Sequence, residues 1–139
     1  MPFMETELAV LCDAATESGG KLNILGAFDS IFSREFPATH PQCAIALRIR
    51  FLRIEAGPHR IRMNFVDADG RAVVPPLDTS ATIQCGDEDE SVVANLIVNF
   101  QQLKFEKPGR YAIDVAVDGR LEKSLPLTVK QVRPPEPTT

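Results

Sequence analysis

The sequence has few of the residues and motifs that usually identify an enzyme. Its 139 residues include no tryptophan, one tyrosine and only two histidines, His40 and His59. It contains no Gly-x-Ser-x-Gly elbow, no Walker loop, no Gly-x-Gly-x-x-Gly fingerprint and no His-Glu-x-x-His zinc motif. We therefore predict a protein that is not an enzyme and that uses no cofactor.

Long apolar runs and an excess of basic residues are also missing. No uninterrupted apolar stretch approaches the ~20 residues of a membrane-spanning helix. The N-terminal residues carry Glu5 and Glu7 but no Lys or Arg, which is the opposite of a secretory signal. The formal net charge of −4 opposes general affinity for nucleic acids or anionic membranes. We expect neither as a partner.

The cysteines form no recognisable pairs. Cys12, Cys43 and Cys85 are odd in number, far apart and part of no paired motif. All three lie in apolar or turn-flanking strand patterns, which favours buried, reduced thiols over disulfides. Reduced thiols predict a cytoplasmic location.

Alternating side chains dominate what the sequence does contain. After the Pro108-Gly109 turn, residues 111–117 alternate large apolar side chains with alanine or aspartate. Asp118-Gly119 then suits a two-residue type I′ turn, and a second alternating run follows over 121–129. These segments predict a β-hairpin with one buried face. Similar runs, separated by turn signals, include 43–54, 59–67 and 91–100.

Eight or nine short strands with almost no helix predict an all-β fold, an antiparallel immunoglobulin-like β-sandwich. The single tyrosine, Tyr111, stands where the tyrosine corner of such sandwiches lies. A chain of this length can bury a sufficient core without disulfides or a structural metal. We assign residues 1–132 to one domain and the proline-rich residues 133–139 to a disordered tail.

Four arginines form the most suggestive charged pattern. They lie in two alternating pairs on the outward faces of consecutive predicted strands: Arg48, Arg50, Arg60 and Arg62. If these strands pair through the Gly57-Pro58 turn, the four guanidiniums form one basic patch on a sheet face. Because guanidiniums bind carboxylates and phosphates through paired hydrogen bonds, the patch predicts a site for an acidic partner or a small anion.

Both charged clusters of the sequence also have simpler explanations. For the arginines the simpler explanation, which we favour, is cross-strand pairing to Asp or Glu on an ordinary solvated sheet face. The acidic run 87–90 offers oxygens of the kind that Ca²⁺ binds, but its spacing fits no EF-hand loop. We interpret it as a solvated turn and predict no metal site.

Three segments of the sequence are distinctive: Leu-Cys-Asp-Ala-Ala at 11–15, Gly-Lys-Leu-Asn-Ile-Leu-Gly-Ala-Phe-Asp at 20–29, and Pro-Gly-Arg-Tyr at 108–111. Together they resemble a family of small bacterial proteins grouped as a domain of unknown function. The likeness spans most of the chain. It implies a bacterial cytoplasmic β-sandwich, and it transfers no catalytic residue because no matching segment has a known role.

The sequence thus leads to two binding hypotheses, with an enzyme whose site is unrecognised as a third alternative. The first is a non-enzymatic protein-interaction module that presents a sheet face or a strand edge to an unknown protein partner or to itself. The alternative is a domain that binds a small ligand or an anion through Arg48, Arg50, Arg60 and Arg62. A homodimer through an edge strand is compatible with the first hypothesis, but the sequence does not indicate which edge.

Overall fold

The computed structural model describes residues 4–133, which are almost entirely strand and turn. The only helical element in this part of the chain is a 3-10 turn, Arg53–Glu55. The strands are β1 Glu5–Ser18, β2 Lys21–Ala27, β3 Ser30–Ser33, β4 Ala38–Leu52, β5 Gly57–Asp67, β6 Leu77–Ile83, β7 Ser91–Phe105, β8 Gly109–Val117 and β9 Arg120–Gln131. The predicted all-β class is confirmed.

The strands form two sheets. The first has the order β2-β1-β4-β7 and is antiparallel throughout. The second has the order β3-β9-β8-β5-β6 and is antiparallel except for the parallel β3–β9 pair. Two mostly antiparallel sheets that share a core form a β-sandwich, as predicted. Its immunoglobulin-like identity stays a prediction.

The domain boundaries also stay predictions. Residues 134–139, nearly all of the predicted tail, lie outside the residues that the structure describes. Within 4–133, no helix is long and apolar enough to cross a membrane.

The core contains the apolar residues of the alternating patterns. In β4, Ile45, Leu47, Ile49 and Phe51 are at most 1% exposed, and they belong to one cluster with residues of the second sheet such as Phe65. No polar or charged residue among those described is buried. Hydrophobic burial between the sheets is therefore the main source of stability.

The β8–β9 hairpin has the turn that the sequence predicts. Asp118 and Gly119 have φ values of +52° and +83°, the left-handed conformations of a type I′ turn. At the other end of β8, the Tyr111 ring packs edge-on against Phe105, and its hydroxyl donates a hydrogen bond to the carbonyl of Lys107. These contacts fix where β8 begins.

The β1–β2 hairpin bends over the outer face of the first sheet. Beneath it, Cys12, Ala44 and Ala46 are fully buried and form a second, smaller apolar cluster. At the hairpin tip, the carbonyl of Gly20 accepts a hydrogen bond of 3.1 Å from the side chain of Asn95 in β7. The two alanines are small enough for the hairpin to lie close against the sheet.

Gly26 allows this bend. Its φ is +69°, a left-handed conformation that glycine adopts without a steric penalty. A Cβ at this position would lie 2.4 Å from the carboxylate of Asp13 on β1. The left-handed conformation therefore favours glycine, and a Cβ would also displace the exposed Asp13 carboxylate.

Candidate functional site

The four arginines do not form one patch. β4, which carries Arg48 and Arg50, lies in the first sheet, whereas β5, which carries Arg60 and Arg62, lies in the second. The predicted pairing of these two strands is therefore wrong. Both sides of β4 are occupied by β1 and β7, so the chain cannot return alongside it and instead crosses to the other sheet through Arg53–Glu55.

Arg48 and Arg50 are held by a single carboxylate. β1 has a bulge at Glu7, whose two carboxylate oxygens accept hydrogen bonds from Nε of Arg48 at 3.1 Å and Nε of Arg50 at 2.8 Å. The hydrogen bond from Arg50, with that from Arg48, lowers the pKa of Glu7. The arginines also donate to Asn95 and Ser91 of β7. This is the cross-strand pairing that the simpler explanation predicts.

Arg60 and Arg62 are more exposed and more loosely paired. Their side chains are 75% and 52% exposed, and their nearest guanidinium nitrogens lie 3.6 and 3.9 Å from the carboxylate of Asp78. The open cleft beside them is also lined by Asp78 and Asp118. Because the cleft has as many carboxylates as guanidiniums, its net charge gives no long-range attraction for an anion, and any binding would depend on local contacts with the exposed arginines.

His59 and Asp118 form a histidine–carboxylate pair. Nδ1 of His59 lies 2.6 Å from a carboxylate oxygen of Asp118, and Nε2 lies 2.5 Å from the carbonyl oxygen of Glu55. The two contacts are hydrogen bonds at the same time only when the ring is protonated, because a neutral imidazole has a single N–H donor. With Nε2 occupied by a backbone carbonyl, the ring has no free nitrogen to act as a general base. In this geometry the pair links Glu55 to the β8–β9 turn.

The cysteines differ in exposure. Cys12 and Cys43 are buried, as predicted, whereas Cys85 is partly exposed, and all three are free thiols. Burial raises the pKa of Cys43 to about 11, with a further contribution from nearby Cys12 and Asp13. Among residues 4–133, no group of three or more His, Cys, Asp or Glu side chains is arranged to hold a metal ion.

Three of the four edge strands are protected against pairing with another chain. β2 begins with Lys21 and has a left-handed glycine, Gly26. β3 has only four residues. β6 has seven residues, includes Asp78 and follows Pro75-Pro76. Short length, charge, proline and local kinks are features that block the addition of a strand to a sheet edge.

The remaining edge, β7, lacks these protections. Its first ten residues, Ser91–Phe100, contain no charge, glycine or proline. They pair with β4 on one side and, within the described part of the chain, with no strand on the other. The inward-facing side chains pack against the core but remain partly exposed: Val92, Ala94, Leu96, Val98 and Phe100.

A largely apolar cleft lies beside this edge. It has a volume of about 360 Å³ and separates β7 from β6, the edge strand of the second sheet. Its apolar lining comes from both sheets: Leu47, Ile61, Leu77, Ala81, Leu96, Ile97 and Val98. The polar residues Asp78, Thr79, Ser80 and Asn99 also line it. The same side of the molecule thus offers unpaired backbone groups and apolar surface.

The fold and this edge define the class of protein: a two-sheet β-sandwich with one long, uncharged strand edge left unpaired in the described structure. Residues 7–130 match a family described as "Family of unknown function (DUF6941)", and the chain belongs to that family. Membership of a family of unknown function, as the resemblance implied, is confirmed. A search of curated proteins finds no match.

Sequence reasoning did not single out β7 as the edge. The signal was present, because Ser91–Phe100 is a ten-residue strand pattern without charge, proline or glycine. That composition is usual for a central strand and rare for an edge, so only the strand order showed its significance.

Proposed function

We propose that this protein is a non-enzymatic protein-interaction module whose binding element is the free edge of β7. The observation that carries the proposal is the ten-residue edge Ser91–Phe100, which has no charge, glycine or proline and is unpaired on one side among residues 4–133. An extended segment of another polypeptide adds to such an edge through backbone hydrogen bonds.

The cleft beside β7 supports the same proposal. In an added strand, alternate side chains point towards the two faces of the sheet. Those on the inner face meet the mouth of the cleft, whose lining includes Leu96 and Val98. The backbone ladder provides affinity, and the cleft selects apolar side chains on the inner face of the partner strand.

A cytoplasmic location is part of the proposal. It is supported by the three free cysteines, Cys12, Cys43 and Cys85, because reducing compartments keep thiols unpaired. The bacterial origin rests on the resemblance described for the sequence.

Anion binding is a second candidate function, and its proposed site now contains two arginines instead of four. One observation favours it: Arg60 and Arg62 are largely exposed and border an open cleft. Inorganic phosphate would then raise the melting temperature of the wild-type protein, and Arg62→Gln would abolish the rise. An equal rise in the variant, or none in either protein, would exclude this site.

The test of the proposed function compares the two edges of the first sheet. Val93 lies opposite Arg50 on the outer face of β7, so Val93→Glu adds a charge at the free edge without entering the core. Leu25→Glu adds the same charge to the exposed edge β2 and is the matched control. Both variants are first shown to fold by circular dichroism.

Each protein then serves as bait in native cell lysate. We expect wild type and Leu25→Glu to retain a defined protein, either another polypeptide or the untagged form of this chain, that Val93→Glu loses, and the purified partner to reproduce this pattern. Retention by Val93→Glu, or loss by both variants, would contradict a binding role for the β7 edge.

A further inference from the structure

We infer that the strand that completes the β7 edge belongs to a second copy of this chain. Two four-stranded sheets would join through antiparallel β7 strands across a twofold axis and form one continuous sheet. This inference rests on the proposed function and names the partner.

The uncharged edge is compatible with itself. In a twofold-symmetric pairing, each residue meets a residue of the same strand, so a charged edge would bring like charges close together. From Ser91 to Phe100 no such repulsion arises, because this part of the strand has no charged residue. A neutral, self-compatible edge is what pairing of two identical strands requires.

The residue pattern of β7 favours one register. Antiparallel strands keep their apolar faces on the same side only when odd-numbered residues meet odd-numbered ones. With Asn95 on the twofold axis, polar residues meet polar and apolar meet apolar on both faces. The resulting pairs are Asn95 with Asn95, Val93 with Ile97, Ser91 with Asn99, Ala94 with Leu96, and Val92 with Val98.

The neighbouring registers do not have this property. Centring the pairing on Ala94 places Asn95 opposite Val93, and centring it on Leu96 places Asn95 opposite Ile97. Either shift sets an amide side chain against an aliphatic one. The register centred on Asn95 joins about nine residue pairs, which corresponds to about eight to ten backbone hydrogen bonds.

The acidic loop before β7 favours the antiparallel orientation. Asp87–Glu90 lies directly before the strand, so a parallel pairing would bring the two acidic loops together. In the antiparallel register they lie at opposite ends of a ladder about 30 Å long, well beyond the Debye length of about 8 Å. Each loop then lies near the end of the partner's ladder, where Gln101 and Gln102 are uncharged.

A crosslinking experiment tests this register. In a Cys85→Ser background, Asn95→Cys places two thiols on the twofold axis, at a Cα separation of about 4.5–5.5 Å that a disulfide spans. Val93→Cys is the matched control, since its two thiols are about four residues, or roughly 13 Å, apart along the ladder. The remaining cysteines, Cys12 and Cys43, are buried.

We expect mild oxidation to link the Asn95→Cys chains into a covalent dimer and to leave Val93→Cys as single chains. No link through Asn95→Cys, or equal linking of both variants, would overturn the inferred register and with it the inference.

Asn95 also contacts Arg48 and Gly20, so its replacement by cysteine can disturb the fold. Sedimentation of the full chain is a second test that leaves Asn95 unchanged. We expect wild type and Leu25→Glu to form dimers and Val93→Glu to be monomeric. A wild-type monomer at all concentrations, or a dimer that survives Val93→Glu, would overturn the inference.

The lysate experiment separates failure of this inference from failure of the proposed function. If wild type is monomeric but captures a protein that Val93→Glu loses, β7 binds another chain and only the inference fails. If wild type is monomeric and captures nothing in a β7-dependent way, both fail.

Discussion

The two edges of the first sheet, β2 and β7, differ in how well they are protected against pairing with another chain. β2 begins with Lys21, bends at Gly26 and folds with β1 over the outer face of the sheet. β7 is twice as long and begins with ten uncharged residues that contain neither glycine nor proline. One edge is thus protected from strand addition, whereas the other has the composition of an interior strand.

Exposure of apolar side chains alone does not distinguish the two edges. β2 exposes more apolar side chain, since Leu25 is 69% exposed, yet its bend prevents a regular ladder. β7 exposes little of each side chain but presents a regular, neutral backbone edge beside an apolar cleft. We therefore base the proposed binding role of β7 on the regularity of its backbone more than on apolar surface.

The largest predicted effect comes from removing the bend in β2. Gly26→Ala forces a left-handed conformation on alanine and places its Cβ against Asp13, so we expect a loss of about 2–3 kcal/mol in the free energy of unfolding. Urea denaturation measures this loss. Gly20→Ala is the matched control, because Gly20 has a similar φ but open space around it.

The clash and the strain at Gly26 can be separated. Combining Gly26→Ala with Asp13→Ala should recover the part due to the clash and leave the conformational part. If Gly26→Ala costs no more than Gly20→Ala, the close approach of β1 and β2 is not what protects this edge.

Replacing His59 should have a smaller effect on stability. This residue is linked to β7 through its contact with β4. Its ring stacks on Phe51 at 4.6 Å between centroids, and Phe51 pairs with Val92 at the start of β7. His59→Gln cannot reproduce both ring hydrogen bonds, so we expect a loss of about 1–2 kcal/mol near pH 6. Chemical denaturation of wild type and variant at matched pH measures it.

The same histidine predicts a pH dependence. Burial by itself lowers its pKa, but hydrogen bonds to the Glu55 carbonyl and the Asp118 carboxylate more than offset this, and the pKa is raised above 6.5. Since the folded state binds the proton more tightly, this stabilisation is complete below pH 6.5 and is lost as pH rises through the folded pKa. Glu55, Asp118 and Arg60 are the charged residues that face or adjoin the ring.

Chemical denaturation of the wild-type protein at pH values below and above the folded-state pKa should show this loss of stability. The pH dependence should be absent in His59→Gln. An NMR titration of the ring protons gives the pKa directly, and Asp118→Asn should lower it. A His59 pKa below 6.5 in the wild-type protein would contradict a protonated His59 that donates hydrogen bonds to both the Glu55 carbonyl and the Asp118 carboxylate.

The smallest predicted effect is a change in the labelling rate of the Cys12 thiol, which lies beneath the β1–β2 hairpin. In the folded protein we expect a thiol reagent to modify Cys85 rapidly and the buried Cys12 and Cys43 slowly. In a Cys85→Ser background, Gly26→Ala should accelerate labelling of Cys12, because it loosens the hairpin that covers this residue. Mass spectrometry of labelled peptides measures the rates, and unchanged labelling of Cys12 would show that the hairpin remains closed.

Much of the fold follows from local sequence. Alternation identified the segments that became β4, β5, β7, β8 and β9, and Asp118-Gly119 identified the turn between the last two. One exception is Pro41, which lies within β4 although proline is unfavourable inside a ladder. It is opposite Gln102, whose φ of +56° interrupts the ladder where proline lacks an N–H.

The candidate site could not be predicted in the same way, because it depends on which strands are neighbours. The alternation of Arg48 with Arg50, and of Arg60 with Arg62, correctly placed both pairs on outer faces, but not in different sheets. Likewise, Glu7 reaches two arginines more than forty positions away through a bulge that no local pattern indicates. Strand order is set by the packing of the whole core.

Hydrogen exchange on dilution shows whether a second copy of the chain covers the β7 edge. Amide exchange over β7 and β2 is followed by mass spectrometry across a wide range of concentrations of the wild-type protein. If a second copy completes the β7 edge, exchange over residues 91–99 accelerates on dilution, whereas exchange over 21–27 is unchanged. Exchange over β7 that is independent of concentration, or dilution-dependent exchange confined to β2, would contradict the account.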